Sequence, residues 1–330
     1  MAADPASGAG AALVGAGYAV PDAVVGNDTI AGRLGVEEAW VSRRTGTRVR
    51  HVVGPGERLE DLAAEAAARA LKAAGIDAGS VDAVLVGTTT ADEMSPHTAP
   101  LVAADIGAQG AAGIDVSAAC VGFLSCLATG TAMIESGRAR TVVVVGADVL
   151  TPYLDLDDPQ SAMLFGDGAG AVVLTAVAGP TRVGPVILRS DGQSRELIRL
   201  ARDELRIRMD GPAVYRRAVT MMAEVTTELL GRAGLAPGEV DLFVYHQANS
   251  RILKAVGAHL GLDECRVVDL VGRFANTSSA SLPIALAVSA EEGRLRGGDR
   301  VLLAAFGAGL VWGGTVVTWG RDEGTGADPA

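Results

Sequence analysis

Continuous apolar runs alternate with helical patterns along most of the chain. Residues 61–74 are alanine-rich with helical periodicity, and residues 81–86 form an apolar run typical of a buried strand. A second such run, rich in valine, covers residues 141–146. Apolar strands without polar alternation, separated by amphipathic helices, are typical of mostly parallel sheets that are covered on both faces. The pattern therefore predicts an α/β fold.

The second half of the chain repeats the pattern of the first. Three pairs of segments match in the same order, two of them 159 residues apart and the third after a shift of three: 74–87 with 233–246, 141–146 with 300–305, and 135–140 with 291–296. Repetition of whole structural units in one order predicts an internal duplication of an α/β half.

The duplication also suggests how the domains divide. The Gly- and Pro-containing stretch at 178–184 marks the boundary, so we expect halves at 11–180 and 181–320. Disordered tails are expected at 1–10 and 321–330. In this alignment Cys120 lies opposite Ser279, and each stands at the start of a helical pattern. Two helix N-termini that face each other across a pseudo-twofold axis suit an active site at the junction.

Composition narrows the class of protein. With 330 residues, 49% hydrophobic and 20% charged, the chain fits a globular protein with a sizeable core. Its net charge of −11 argues against nonspecific binding to nucleic acid or an anionic membrane. Three cysteines without metal-ligand spacing indicate a reducing compartment and no zinc site. The sequence has no signal peptide pattern and no apolar run of about 18 residues, so we expect a cytoplasmic protein.

Cys120 stands in the stretch Asp-Val-Ser-Ala-Ala-Cys-Val-Gly-Phe, where an extended segment gives way to a helical pattern. The first N–H groups of a helix have no intrahelical partner, and the helix dipole is positive there. We therefore expect a stabilised thiolate, which lets a thiol of ordinary pKa about 8.5 act as a nucleophile near neutral pH. The alternative is a small buried apolar cysteine.

The second half supplies possible partners for this cysteine. His246 directly ends an apolar strand, and strand ends in open α/β sheets are where ligands bind; a structural histidine is the alternative. The segment Asn276-Thr-Ser-Ser-Ala-Ser is the counterpart of the Cys120 turn and can be either a helix cap or open space beside a helix N-terminus. The loop Phe306-Gly-Ala-Gly exposes backbone N–H groups, as an oxyanion hole requires.

Two other glycine motifs are assigned structural roles. Residues 11–17 form a short strand that runs into glycines, but Pro21 follows where a dinucleotide-binding motif needs a helix. Residues 166–170 lack the Lys-Ser/Thr pair of a phosphate loop, so we interpret these glycines as sites of tight backbone packing.

Together, Cys120, His246 and Asn276 resemble the Cys-His-Asn triad of the thiolase superfamily, and more narrowly that of 3-oxoacyl-acyl-carrier-protein synthase III, a ketoacyl synthase. The resemblance extends from about residue 11 to residue 320. Five motifs carry it in the right order: Asp-Val-Ser-Ala-Ala-Cys120-Val-Gly-Phe, Phe165-Gly-Asp-Gly-Ala-Gly, His246-Gln-Ala-Asn-Ser-Arg, Asn276-Thr-Ser-Ser-Ala-Ser and Phe306-Gly-Ala-Gly-Leu-Val-Trp-Gly. It implies a five-layered αβαβα fold built from two duplicated halves.

The resemblance also implies a mechanism. Cys120 would take an acyl group from a coenzyme A or carrier-protein thioester, while the backbone N–H groups of Cys120 and Ala308 hold the oxyanion. His246 and Asn276 would then donate hydrogen bonds to the carbonyl of a malonyl thioester. Loss of CO2 leaves an enolate that attacks the acyl-enzyme. His246 should be uncharged, because neutral donors suit a developing negative oxygen.

Further roles follow from the same resemblance. No cofactor would be bound permanently; the partners would be acyl carrier protein and acyl-coenzyme A, and the chain would form a homodimer. The implied residues are Phe123, Phe306 and the position of Ser95 for the acyl pocket, Trp40, Arg44 and Asn249 for coenzyme A or phosphopantetheine, and Arg216, Arg251 and Lys254 for the acidic carrier protein.

Five positions depart from the family pattern. Pro159 stands near an expected arginine, Ala258-His259 replaces an expected basic pair, Ser95 falls where an aromatic residue is expected, and Ala308 replaces a glycine. These departures favour a specialised relative with a different acyl group, in a polyketide-type pathway.

Three other functions compete with the decarboxylating condensation. An acyltransferase that moves the acyl group to a hydroxyl, an amine or another carrier without condensation needs the same nucleophile and oxyanion hole. A non-catalytic partner subunit is disfavoured because all three triad residues are present. An oxidoreductase is disfavoured because neither glycine motif lies in a strand-turn-helix fingerprint.

Overall fold

The structure, a computed structural model, describes residues 9–320. The tail expected at 321–330 and most of the tail expected at 1–10 lie outside these residues. Ala9 and Gly10, however, already belong to the first strand, where they pair with Ala178 and Val177. The ordered fold therefore begins earlier than expected.

Two halves follow each other along the chain. The first contains β1 (Ala9–Ala19), β2 (Val24–Gly26), α1 (Asn27–Leu34), α2 (Glu38–Thr45), β3 (Val49–His51), α3 (Leu59–Ala74), β4 (Ala83–Gly87), α4 (Thr98–Asp105), β5 (Ala112–Val116), α5 (Gly122–Glu135), β6 (Thr141–Asp148) and β7 (Gly168–Ala178). The second contains β8 (Ile187–Ser190), β9 (Ile198–Leu200), β10 (Ile207–Met209), α6 (Gly211–Ala233), β11 (Leu242–Tyr245), α7 (Ser250–Leu260), α8 (Val271–Phe274), α9 (Ser281–Glu291), β12 (Arg300–Gly307) and β13 (Val311–Thr318). The expected boundary near residue 180 falls between β7 and β8.

The two large sheets have corresponding topologies. The first has the strand order β1-β7-β6-β4-β5 and the second β11-β12-β13-β8. Strands joined by helices pair in parallel, namely β4 with β5 and β6, and β11 with β12. The strands β7 and β13 pair antiparallel with their neighbours on both sides. The predicted α/β class is confirmed, and the sheets are mixed, with their parallel pairs confined to the crossover strands.

The duplication predicted from the sequence extends to single turns. β6 and β12 begin and end 159 residues apart. The same spacing relates two short 3-10 turns, Ala119–Val121 before α5 and Ser278–Ala280 before α9. Among the strands of the two large sheets described within residues 9–320, β5 alone lacks a full counterpart, since its equivalent is reduced to one parallel bridge between Phe243 and Val267.

Five layers result from the way helices cover the sheets. Helices α3 and α4 pack on the outer face of the first sheet, α6 and α7 on the outer face of the second, and α5 and α9 lie between the sheets. In β6, Val142 and Val144 face the middle layer while Val143 and Val145 face α3 and α4. A strand buried on both faces has no polar alternation, which explains the continuous apolar runs. The αβαβα architecture is confirmed.

The glycines of the early strand serve packing. A Cβ at Gly17 would lie 2.4 Å from the backbone nitrogen of Ala70 in α3, so only glycine lets this helix rest directly on β1. A Cβ at Gly170 in β7 would likewise lie 2.6 Å from the nitrogen of Ile284 in α9. Both glycine motifs therefore occupy places where backbones approach closely. None of the helices described within residues 9–320 combines the length and apolar character that a bilayer crossing requires.

Candidate active site

A cavity of about 1680 Å³ opens where the two halves meet. Residues from both halves line it, including Cys120, His246, Asn276, Phe306 and Ala308. The three side chains expected to act together are thus brought to one site, although they come from three separate segments of the chain.

Cys120 lies in the 3-10 turn Ala119–Val121, immediately before α5. The preceding Ala119 has a φ of 46°, in the left-handed region that alanine rarely adopts. On the other side the end of β12 approaches with bare backbone: a Cβ at Gly307 would lie 2.9 Å from the nitrogen of Cys120 and 3.3 Å from its Sγ. The turn therefore presents the thiol to the cavity, and glycine at 307 leaves the space in front of it free.

The environment of the sulfur differs from the expectation. Burial raises the pKa of the Cys120 thiol from 9.0 to about 12, and the buried carboxyl of Asp148 acts in the same direction. The Ser278 hydroxyl donates a hydrogen bond to Sγ at 3.4 Å and favours the thiolate, but its effect is smaller than that of burial. Burial therefore opposes the thiolate that the position of Cys120 before a helix favours.

His246 follows β11, and its backbone N–H donates to the carbonyl of Ala304, which extends the parallel pairing with β12. The ring is 2% exposed and packs edge-to-face against Phe306, with 5.6 Å between the centroids. Its Nδ1 lies 2.6 Å from Oγ of Ser281. Burial lowers the pKa of His246 from 6.5 to about 3, so the imidazole is uncharged near neutral pH.

Asn276 is held by the turn that it begins. Its Oδ1 accepts a hydrogen bond from the N–H of Ser278 at 2.9 Å, and its own N–H donates to the carbonyl of Leu164. The preceding Ala275 has a φ of 59°. Within residues 9–320 the Nδ2 of Asn276 has no hydrogen-bond partner, and the residue lines the cavity. The amide can therefore donate to a bound oxygen.

Two residues that the sequence patterns did not single out support this site. Asp148, fully buried at the end of β6, accepts hydrogen bonds from the N–H of Thr89 at 2.9 Å and the N–H of Ser279 at 3.1 Å. Gln247 braces the loop after β11: its Nε2 donates to the carbonyl of Tyr245, and its Oε1 accepts from another backbone N–H. The strand-end rule that singled out His246 applies equally to Asp148 and would have found it.

The acyl pocket is only partly as expected. Phe306 lines the cavity. Phe123 does not, because its side chain is completely buried in the core between the two sheets, and this assignment is corrected. Ser95 is exposed and also does not line the cavity of its own chain, although its neighbours Met94 and His97 do.

The residues expected to bind coenzyme A or phosphopantetheine lie together. Trp40, Arg44 and Asn249 all line the cavity, as does Pro159. The Arg44 guanidinium lies 4.7 Å above the centroid of the Trp40 ring, a cation–π contact. Asn249 donates through Nδ2 to the carbonyl of Arg44 at 3.1 Å, which ties the start of α7 to the end of α2.

The basic residues expected to meet a carrier protein are split. Arg216 and Arg251 line the cavity, and the Arg251 guanidinium lies 5.3 Å from the ring centroid of Tyr215. Lys254 is exposed on α7 and lies outside the cavity lining. Two further arginines that the sequence analysis did not select, Arg199 and Arg202, also line the cavity. In the described part of the chain no group of three or more His, Cys, Asp or Glu is arranged to hold a metal ion.

Comparison with protein families gives two matches to this chain. The family profile described as 3-oxoacyl-(acyl-carrier-protein (ACP)) synthase III matches residues 114–192, and the profile of the C-terminal part of the same enzyme matches residues 230–319. The two segments contain Cys120, His246 and Asn276.

Individual relatives cover almost the whole chain. The beta-ketoacyl-(acyl-carrier-protein) synthase III 2 of Streptomyces coelicolor is 45% identical over 317 residues, 96% of either chain. The crystal structure of 3-oxoacyl-(acyl carrier protein) synthase III from Pseudomonas aeruginosa has a TM-score of 0.90 at 40% identity and covers 94% of this chain and 99% of that one. A priming beta-ketosynthase from a polyketide biosynthetic pathway has a TM-score of 0.90 at 34% identity and covers 94% of this chain and 97% of that one. With the expected cysteine, histidine and asparagine in one cavity, this chain belongs to the 3-oxoacyl-(acyl-carrier-protein) synthase III family and is an acyltransferase of that class.

Proposed function

We propose that the chain joins an acyl group to a malonyl thioester by decarboxylative Claisen condensation. The observation that supports this most strongly is the arrangement around the thiol. One cavity presents a nucleophile, Cys120, together with two neutral hydrogen-bond donors, His246 and Asn276, that are not needed for simple thiol exchange. Donors of this kind stabilise an enolate oxygen, which forms only when a malonyl group loses CO2.

The first half-reaction is a thiol exchange at Cys120. The sulfur attacks the carbonyl carbon of an acyl thioester, and the backbone N–H groups of Cys120 and Ala308 stabilise the tetrahedral oxyanion. The bond from carbon to the departing sulfur then breaks. Since the pKa of Cys120 is raised to about 12, its proton has to leave as the sulfur attacks, and it ends on the departing thiol.

The second half-reaction uses the residues of the second half of the chain. His246 and Asn276 donate hydrogen bonds to the thioester carbonyl of the malonyl group. The bond between the α-carbon and the carboxylate breaks, CO2 leaves, and the electron pair forms the enolate. The α-carbon then attacks the acyl carbonyl on Cys120, and the cysteine thiolate leaves and recovers a proton from solvent.

The substrates of this site are acyl and malonyl thioesters of coenzyme A or of an acyl carrier protein. The proximity of Trp40, Arg44 and Asn249 supports a place for the nucleotide or the pantetheine arm. Arg216 and Arg251, with Lys254 outside the cavity, supply local positive charge for an acidic carrier on a chain whose net charge is −11. The transferred acyl group would be one other than amino-acyl.

We further propose that the enzyme primes a polyketide-type pathway as a cytoplasmic homodimer. The resemblance to a polyketide priming synthase supports a specialised acyl donor, and so does Pro159, which lines the cavity near the position of an expected arginine. The low and odd number of cysteines supports a reducing compartment.

A two-stage assay tests the function. The protein is incubated with a panel of acyl-coenzyme A and acyl-carrier thioesters, and intact-mass spectrometry records any covalent adduct. Malonyl-carrier is then added, and CO2 and the product chain length are measured. We expect an adduct in the wild type and none in Cys120→Ala. His246→Ala and Asn276→Ala should still be acylated but lose condensation by about 1000-fold, as expected when donors to a developing oxyanion are removed.

Each outcome separates the alternatives. An adduct that survives Cys120→Ala, or no adduct with any donor, would exclude covalent acyl transfer at this site. An adduct that malonyl-carrier does not consume, but that a hydroxyl, amine or second carrier does, would identify a transferase without condensation. Release of CO2 with a chain two carbons longer would establish condensation.

A further inference from the structure

Ser281 is a buried serine at the first position of α9, and nothing in the chemistry above requires it. Its side chain is held between two groups that follow β11. Oγ lies 2.6 Å from Nδ1 of His246 and 3.3 Å from the backbone nitrogen of Gln247. The residue as a whole is 2% exposed. The hydroxyl proton of Ser281 must therefore be directed to a protein acceptor.

The backbone N–H of Gln247 can only donate, so it uses one lone pair of the Ser281 oxygen. If Nδ1 of His246 also donated, the hydroxyl proton of Ser281 would need a third partner. Within residues 9–320 Oγ of Ser281 has no partner besides these two. A buried hydroxyl proton without an acceptor is unfavourable, whereas donation to Nδ1 satisfies all three groups.

We propose that Ser281 is a positioning residue that donates its hydroxyl proton to Nδ1 of His246 and so holds the imidazole in the tautomer protonated at Nε2. Nε2 has no hydrogen-bond partner among the described residues, and His246 lines the cavity with Cys120. The tautomer therefore keeps an N–H donor available to a bound carbonyl oxygen. Its catalytic consequence rests on the proposed condensation.

The same tautomer limits His246 to a role in the second half-reaction. An imidazole protonated at Nε2 has no free lone pair on the cavity side, so it cannot accept the thiol proton of Cys120 there. Accepting a proton elsewhere would create a buried cation, which desolvation opposes, as the lowered pKa of His246 indicates. His246 thus serves the decarboxylation and leaves the acylation of Cys120 unaided.

The tautomer can be read directly in the free protein by ¹⁵N NMR of labelled histidine rings. The chain has only four histidines, and His246→Gln identifies the signal of interest. We expect protonation at Nε2 and a bare Nδ1 in the wild type. Ser281→Ala should shift this signal towards a mixture of tautomers, while Ser281→Thr, which keeps a hydroxyl, should retain the wild-type pattern.

Ser289 provides a matched control on the same helix. It is also a buried serine of α9, but its hydroxyl has no hydrogen-bond partner, so Ser289→Ala removes a buried hydroxyl without touching His246. Ser281→Ala should slow condensation about tenfold, the loss of one hydrogen bond, and leave the rate of acyl-enzyme formation unchanged. Ser289→Ala should change neither rate.

The outcomes distinguish this proposal from the proposed function. Protonation at Nδ1 in the wild type would overturn it even if Ser281→Ala does not fold. An unchanged tautomer in a folded Ser281→Ala protein would also overturn it. If the wild type does not condense at all, the proposed function fails, while the NMR signal still decides which nitrogen of His246 carries the proton.

Discussion

The two halves contain the same turn and use it differently. Ala119–Val121 and Ser278–Ala280 are 3-10 turns 159 residues apart, and each leads into a helix of the middle layer. Both begin with a residue in the left-handed region, Ala119 with φ 46° and Ser278 with φ 51°. The backbone of the nucleophile turn is therefore not special to the half that carries the nucleophile.

The turns also differ in the residue at the end of the strand that faces each of them. Gly307 ends β12 and lies against Cys120, while its counterpart Asp148 ends β6 and lies against Ser279. Oδ2 of Asp148 accepts a hydrogen bond from the N–H of Ser279, so a carboxyl oxygen of the protein itself binds at the second turn. Glycine leaves the corresponding space at Cys120 to a substrate oxygen. The two turns thus differ both in the turn residue, Cys120 or Ser279, and in the strand-end residue that faces it.

We expect the largest effect on acyl-enzyme formation when the aspartate that faces the second turn is introduced opposite Cys120. Gly307→Asp places a carboxylate in front of Cys120, where even a Cβ would lie 2.9 Å from the backbone nitrogen. We expect acyl-enzyme formation to fall about 1000-fold, because the anion occupies the place of the oxyanion and repels a thiolate. The measurement is the rate of adduct formation by intact mass.

Gly307→Ala is the graded control, since it adds the Cβ without the charge and should lose less activity. Thermal unfolding of both variants shows whether they fold. Acylation of a folded Gly307→Asp protein at more than a tenth of the wild-type rate would contradict the assigned role of Gly307.

Removal of the Asp148 carboxyl group should lower the free energy of unfolding of the protein. Asp148→Ala removes the acceptor of the Ser279 N–H and of the Thr90 hydroxyl, two donors in buried residues. We expect the free energy of unfolding to fall by about 3 kcal/mol, because each unpaired buried donor costs about 1–3 kcal/mol. Urea denaturation measures the change, and Asp148→Asn, which keeps one acceptor oxygen, should lose less. A loss below about 0.5 kcal/mol would show that the carboxylate does not hold the second turn.

The smallest expected effect concerns the thiol itself. With a pKa raised to about 12, the thiolate fraction of Cys120 is far from saturation, so alkylation by iodoacetamide should accelerate about tenfold per unit between about pH 7 and pH 9. Peptide mass spectrometry follows Cys120 separately from Cys126 and Cys265. A rate that levels off near pH 7 would show that the helix N-terminus outweighs burial. Ser278→Ala removes the donor to Sγ and should slow the reaction further.

Local patterns account for what could be predicted. The buried strands and their helices repeat along the chain with a fixed spacing, so the α/β class and the duplication were readable from apolar periodicity. The family motifs marked Cys120, His246 and Asn276 in the same way. Phe123 and Phe306 looked alike in sequence, yet one packs in the core between the sheets and the other against His246. Which aromatic residue reaches the cavity depends on the layers around it.

The sequence by itself determined the class of fold, its repetition and the three side chains that meet in the cavity, because these depend on residue type and on short sequence motifs. Only the tertiary structure decided that the surroundings of Cys120 raise the pKa of its thiol, because segments distant in sequence shield it from water. The tertiary structure also brings Ser281 and His246, which are 35 residues apart in sequence, within hydrogen-bond distance. Desolvation and proton sharing depend on neighbours in space, and the fold brings those neighbours together from both halves of the chain.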